Sequence, residues 1–255
     1  MVLKGRPPVS AVVITYNEEG NIQRCLESLH WVDEIVLVDS ESKDKTVEIA
    51  REFTDRIFSR RWPGSFSSQR NFGMAQAKGD WVLILDADER VTPEAQKEIS
   101  TWLKSLEAMS YAAAQVPRRN FFFGKWLRFG EAYPDLQWRL LKKGKVCYDE
   151  QTSDTALIDG PCKLLSEPFD HFTGDGIADR IRKSWRDADY KAKEMLVAKR
   201  NAHWSDILFR PVATFIKIYL IKQGFRDGME GYLYSALASF YTFIRYVKLW
   251  VLARG

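Results

Sequence analysis

Four short apolar runs punctuate the first third of the chain, at residues 9–14, 35–38, 57–58 and 81–85. Each is continuous rather than alternating, the pattern of strands buried on both faces of a sheet. The stretches between them carry a different period. In residues 21–29, Ile22, Leu26 and Leu29 share one helical face, and in 46–53 the apolar positions are Val47, Ile49, Ala50 and Phe53. Residues 67–77 read as a third helix closed by Gly79, and a fourth lies around 93–109. Strands alternating with helices predict a Rossmann-like, mostly parallel sheet with helices on both faces, an α/β fold. Ligands in such sheets sit beyond the carboxyl ends of the strands.

Past residue 110 the grammar changes. Residues 111–118, 136–141, 146–148 and 163–171 are strand-like pieces separated by turns, which predicts mixed or antiparallel structure. Phe121-Phe122-Phe123-Gly124-Lys125-Trp126 forms an aromatic cluster in a loop or hairpin, open to core packing, sugar stacking or membrane contact. From about residue 176 the chain reads as helical. Residues 180–199 are charged and amphipathic; 212–223 and 229–252 are apolar and aromatic. A spanning helix needs roughly 20 mainly apolar residues. The first apolar segment is too short and carries Lys217 and Lys222, and the second is interrupted by Arg245 and Lys248. The expectation is a helical hairpin lying on a membrane interface or packing in a homo-oligomer, with an ordinary packed cap as the alternative. The chain thus divides into an α/β half (1–110), a mixed β region of the same domain (111–175) and a C-terminal helical extension (176–255).

Composition adds a polarity to this outline. With 45% apolar and 28% charged residues the chain has ample core material. The net charge of +4 is uneven: residues 1–170 carry 23 Lys and Arg against 26 Asp and Glu, whereas 171–255 carry 15 against 8. A basic tail points to an anionic partner such as a phospholipid surface. Nucleic acid is set aside, because the basic residues are mixed with long apolar runs and no nucleic-acid module is recognisable. Three cysteines without a CxxC pair argue for a reducing compartment and against a disulfide framework or structural zinc. Residues 1–10 hold no signal-peptide core, so a cytoplasmic location is expected.

The chemistry concentrates at the strand ends. Asp86-Ala87-Asp88 directly follows the apolar run 81–85. In an extended chain Asp86 and Asp88 share a side while Ala87 points away. Two such acids suit Mg²⁺ or Mn²⁺ holding a diphosphate, since these hard cations take a carboxylate or two plus phosphate oxygens. Thr15-Tyr16-Asn17-Glu18 and Asp39 fall on the same edge. The pattern suggests an enzyme acting on a nucleotide-linked substrate.

These stretches resemble the family 2 glycosyltransferases, whose GT-A fold moves sugars from nucleotide diphosphates. The resemblance rests on Val13-Ile14-Thr15-Tyr16-Asn17-Glu18, Val38-Asp39-Ser40-Glu41-Ser42-Lys43-Asp44-Lys45-Thr46, Gln69-Arg70-Asn71 and Leu85-Asp86-Ala87-Asp88-Glu89. More narrowly, the Gln-Arg-Asn helix, residues 85–91, Gln137-Trp138-Arg139-Leu140 and Phe225-Arg226-Asp227-Gly228 resemble lipopolysaccharide core glucosyltransferases. The resemblance implies a UDP-sugar donor, a lipid-linked or lipopolysaccharide core acceptor, inversion by direct displacement, and a peripheral position on the cytoplasmic face of the inner membrane. It implies that Thr15, Tyr16, Glu18 and Asp39 grip uracil and ribose, and that Arg70 lies near the donor phosphates, where a guanidinium suits oxyanions. Asp86 would face the ribose or the metal, Asp88 the metal, and His171 would be a further metal ligand.

Related sequences place the catalytic base in a His-Glu pair shortly before an Asp-Gly turn. Counting back from Asp159-Gly160 puts Ser153-Asp154 there, which makes Asp154 the candidate base, with Asp149 and Glu150 as competitors. Trp138 and Arg139 either shape an acceptor pocket or pack within a strand. The sequence departs from the family at Glu41 and Lys45, where glycines are usual, so that turn is expected to adopt a backbone tolerable to residues with a Cβ. Two other functions compete. A sugar nucleotidyltransferase needs a glycine-rich basic loop after the first strand, but the loop here is acidic. A noncatalytic nucleotide-binding membrane scaffold stays open because Ser153-Asp154 is unusual.

Overall fold

The computed structural model describes residues 5–150, 155–173 and 176–254. The chain forms two compact units. The first runs through Arg118 and resumes from Leu136 to His171; the second takes Arg119–Asp135 and the chain from Phe172 on.

In the first unit β1 (Val9–Thr15), α1 (Ile22–Glu27), β2 (Glu34–Asp39), α2 (Thr46–Ala50), β3 (Ile57–Ser59), α3 (Phe66–Gln76) and β4 (Trp81–Asp86) follow one another as the apolar pattern predicts. The four strands lie parallel in the order β3-β2-β1-β4. Their runs are continuous because alternate residues serve two separate cores. Ala11, Val13, Leu37, Leu83 and Leu85 pack with Ile22 and Leu26 of α1. Val12, Ile14, Val36, Val38, Val82 and Ile84 pack with Met74 of α3. Helix α3 approaches so closely that a Cβ on Gly73 would come within 2.3 Å of Val12 Cγ1.

After a short turn come β5 (Glu89–Val91) and α4 (Pro93–Leu103), the latter capped by Thr92, whose hydroxyl accepts from the Ala95 amide. The remaining strands are β6 (Ala113–Phe122), β7 (Lys125–Trp126), β8 (Asp135–Lys142), β9 (Val146–Tyr148), β10 (Ala156–Ile158), β11 (Cys162–Leu164) and β12 (Phe169–Thr173). Here β8 is antiparallel to β4, β12 antiparallel to β5 and β11 parallel to β6, while β9 and β10 form a separate antiparallel pair. The mixed character expected beyond residue 110 is therefore present.

One expectation needs correction. Residues 163–171 are not one strand: the amides of Ser166 and Glu167 donate to the Glu98 carboxylate, and Pro168 has no N–H to offer a ladder. Of the two settings open to the aromatic cluster, the structure takes the hairpin: Phe121 and Phe122 extend β6 and pair with Trp126 and Lys125.

The second unit holds that hairpin and three long helices, α5 (Ile177–Val197), α6 (Trp204–Phe215) and α7 (Met229–Leu252). A π-helical turn (Ile216–Ile221) extends α6, and a 3₁₀ turn (Gly224–Asp227) precedes α7. Helix α6 begins eight residues before the apolar run that announced it, because Asp206 accepts from the His203 amide and closes its first turn. Pro211 sits inside α6, and its carbonyl accepts from Ser239 Oγ of α7. Ala192, Met195, Tyr246 and Leu249 form the small core between α5 and α7. Buried Asp227 accepts from the amides of Arg128 and Phe129, fastening the segment after the hairpin. Among the described residues no helix is long and apolar enough to cross a membrane.

Candidate active site

Register alone brings the strand-end residues together. Thr15 pairs with Asp39 and Ile14 with Asp86, so β1, β2 and β4 end along one edge. Two loops leave that edge and are laced to each other. The Asn17 amide donates to Ser42 Oγ, the Glu18 amide to Thr46 Oγ1, and the Lys43 amide to Asn17 Oδ1. An open cleft of about 780 Å³ lies beside them, lined by Asp39, Glu41, Ser42, Arg51, Asp55 and Ser59 among others.

Each residue proposed for the nucleotide has a definite local setting. Thr15 is buried, and its hydroxyl oxygen has no hydrogen-bond partner. Tyr16 is half-exposed at the rim. The Glu18 carboxylate accepts from Asn21 at the start of α1. Asp39 is buried and accepts from both the amide and the hydroxyl of Ser42. Glu41 departs from expectation. It holds φ +63°, so the turn keeps the left-handed backbone that favours glycine and Glu41 takes up the strain, whereas Lys45 at φ −79° is relaxed.

The two acids of Asp86-Ala87-Asp88 do not behave as one strand-end pair. Strand β4 stops at Asp86, Ala87 and Asp88 form a turn, and Ala87 is buried in the apolar core. Each carboxylate therefore meets different partners. Asp86 accepts from Arg70 at 3.1 Å and from Arg139 at 2.8 Å. Burial opposes its ionisation, but the guanidiniums of Arg139, Arg70 and Arg118 outweigh that and hold the carboxyl well below the usual range. Asp88 lies 3.3 Å from His171 Nε2, so that pair is brought together by the turn and β12. Among the described residues no three His, Cys, Asp or Glu side chains gather around one point. A carboxylate beside an imidazole is a donor set that Mn²⁺ accepts when phosphate oxygens complete the shell, and the carboxylate alone would serve Mg²⁺.

Sequence reasoning missed the keystone of this site. Glu89 is 0% exposed and accepts from Arg118 at 2.7 Å and Arg139 at 2.5 Å. Arg139, 2% exposed, thus bridges Glu89 and Asp86, and its Nε is a buried donor without a partner. The resulting chain of alternating charges runs Arg70–Asp86–Arg139–Glu89–Arg118. Its one sequence signal was an acid following Asp86-Ala87-Asp88 with an arginine in the middle of a distant strand-like run.

The Gln69-Arg70-Asn71 stretch also acquires a reason. Gln69 donates to Ser40 Oγ and the Arg60 carbonyl, Arg70 holds Asp86, and Asn71 clasps the Tyr148 backbone through both its amide nitrogen and oxygen. Three successive residues of α3 tie together the end of β2, the end of β4 and β9. Asp154 lies outside the described residues. Its competitors Asp149 and Glu150 follow β9, with the Asp149 amide on the Thr155 carbonyl and Glu150 accepting from Asn71.

The family profile described as Glycosyl transferase family 2 matches residues 10–171, and the chain belongs to that family. An uncharacterized glycosyltransferase of Rickettsia felis is 27% identical over 94% of this chain and 89% of its own length. The lipopolysaccharide core biosynthesis glycosyltransferase LpsC of Rhizobium meliloti is 24% identical over 95% of this chain and 92% of its own. Among solved structures, the mannosyltransferase PcManGT of Pyrobaculum calidifontis, in complex with GDP-Man and Mn²⁺, superposes with a TM-score of 0.56. That likeness, at 16% identity over 98% of this chain and 89% of the other, is one of GT-A fold.

Proposed function

We propose that the protein transfers a hexose, with inversion, from a UDP-sugar to a lipopolysaccharide core or other lipid-linked saccharide on the cytoplasmic face of the inner membrane. The observation that carries this reading is the alignment of Thr15, Asp39 and Asp86 on one strand edge, with Asp88 against His171 just beyond it. Thr15, Tyr16, Glu18 and Asp39 bind uridine, and the orphaned Thr15 hydroxyl is a buried group that a ligand would satisfy. Arg70 binds a donor phosphate and is held in place by Asp86. Asp88 and His171 would hold Mg²⁺ or Mn²⁺, which neutralises charge on a departing diphosphate when bound. Asp154 takes the proton from the acceptor hydroxyl as that oxygen attacks the anomeric carbon, and the nucleoside diphosphate leaves from the opposite face. The similarity to LpsC supports the class of acceptor.

The test is a donor panel of UDP-glucose, UDP-galactose, UDP-N-acetylglucosamine and GDP-mannose, run with Mn²⁺ and a core saccharide acceptor. Transfer from a UDP-sugar is expected, and Asp154→Asn should abolish it while leaving UDP affinity nearly unchanged. Equal transfer by both proteins moves the base to Asp149 or Glu150. Binding of UDP without turnover of any donor would establish the noncatalytic scaffold instead.

A further inference from the structure

Helix α6 and its π-helical extension are apolar on more than the side a packed cap would need. One side meets α7: Ser239 Oγ donates to the Pro211 carbonyl, Thr214 bonds Thr242, and Phe215 and Tyr219 meet Tyr232 edge-on. The outward side is apolar as well. Trp204, Leu208, Val212, Ile216 and Leu220 recur every four residues and are all exposed, Trp204 at 68%. Phe209 and Ile221 widen the stripe, at 64% and 67% exposure. An exposed apolar strip of seven large side chains is larger than a monomer's surface ordinarily leaves to water.

We infer that this strip is an in-plane docking surface for an anionic phospholipid bilayer. Two candidate occupants compete, a second copy of the chain and a membrane, and charge separates them. Residues 199–226 carry six Lys and Arg against one acid, Asp206. Lys217 and Lys222 share the single carboxylate of Glu131, and Asp206 is paired with Arg210, so the surroundings of the strip remain positive. A two-fold contact through the strip would set these like charges against each other, whereas anionic headgroups complement them. Since no described helix is built to cross a bilayer, the helix lies along the surface with its apolar face in the acyl boundary and its lysines at headgroup level. The inference deepens the proposed action on a lipid-linked acceptor but stands on residues outside the catalytic cluster.

The experiment is co-sedimentation of the full chain with vesicles of phosphatidylglycerol and phosphatidylcholine, against phosphatidylcholine alone. The wild type is compared with the triple variant Phe209→Glu, Leu220→Glu, Ile221→Glu and with the pair Lys217→Gln, Lys222→Gln. All five side chains are solvent-facing, so melting temperature and UDP affinity should match wild type. Wild type should sediment with the anionic vesicles and as a monomer without lipid. The triple variant should lose about 100-fold or more in partitioning as three buried apolar side chains become charged. The lysine pair should lose about 10-fold on anionic vesicles. Absence of wild-type binding, or equal binding by the triple variant, overturns the inference. So does a lipid-free dimer that the triple variant dissociates, since the face would then belong to a second copy. Transfer to a water-soluble acceptor should be the same for wild type and triple variant. Vesicle binding without any transfer would leave the docking surface standing and remove the proposed reaction.

Discussion

Strand β4 and helix α6 are both built from tryptophan, leucine and other large apolar residues, yet Trp81 to Leu85 are buried and Trp204, Leu208, Phe209 and Val212 stand in the open. The difference lies in what each element is offered. A parallel strand has two faces and receives a helical layer on each, so every residue finds a core. A helix has a single stripe to bury, and α6 spends that stripe on Ile207, Pro211 and Phe215, which meet the small core and α7. Similar apolar content is therefore buried on both faces of β4 and left largely exposed on one face of α6.

The comparison can be broken in several places. The largest effect is expected where the first unit does chemistry. Asp88→Asn should slow transfer by about 1,000-fold, roughly 4 kcal/mol, with little change in melting temperature, if Asp88 holds the ion beside the diphosphate. Activity assays across a Mn²⁺ titration check it: a raised Mn²⁺ requirement is expected, and a loss that is the same at every Mn²⁺ concentration would point to a positional role instead. Next is the buried charge chain. Glu89→Ala leaves Arg139 and Arg118 without their shared partner and should cost about 3–5 kcal/mol in denaturant unfolding; a cost below 1 kcal/mol would show that water replaces the carboxylate.

A paired substitution addresses the comparison directly. Leu83→Ala should destabilise by about 2–5 kcal/mol, and Leu208→Ala should fall within about 0.5 kcal/mol of wild type. Similar values for the two would mean that α6 is covered in solution. A smaller effect concerns pH. Asp86 titrates lower in the folded than in the unfolded chain, so its contribution is complete above about pH 4 and is lost as pH falls through the native value. Stability should be flat in this term from pH 5 to 8, measured by melting scans, and Asp86→Asn should blunt the acid limb.

The smallest effect is on the thiols. Burial, then the acids Glu89, Asp88 and Asp86, push the Cys25 thiol up, while Cys147 and Cys162 are exposed. Native protein at pH 8 should take up two alkyl groups by mass, and the third only after unfolding. Three rapid additions would show that the first unit opens beneath the Asp86–Asp88 turn.

Much of this molecule was legible in its sequence because local pattern and local physics agree there. Continuous apolar runs separated by 3.6-period segments marked β1 to β4 and their helices within a residue or two at the strands, and the strand-end rule located Thr15, Asp39 and Asp86 on a shared edge before any register was known. The span of α7 was equally plain, since its apolar stretch is long and free of proline. Tertiary structure decided what depends on partners distant in the chain. Arg139 reads as a strand residue until β8 lies beside β4 and carries its guanidinium to Asp86 and Glu89, some fifty positions earlier. The same is true of Asn71 and β9, and of the turn that sets Asp88 beside His171. Periodicity along a chain records which face is apolar. Only packing settles whether that face is covered, and which charge meets which.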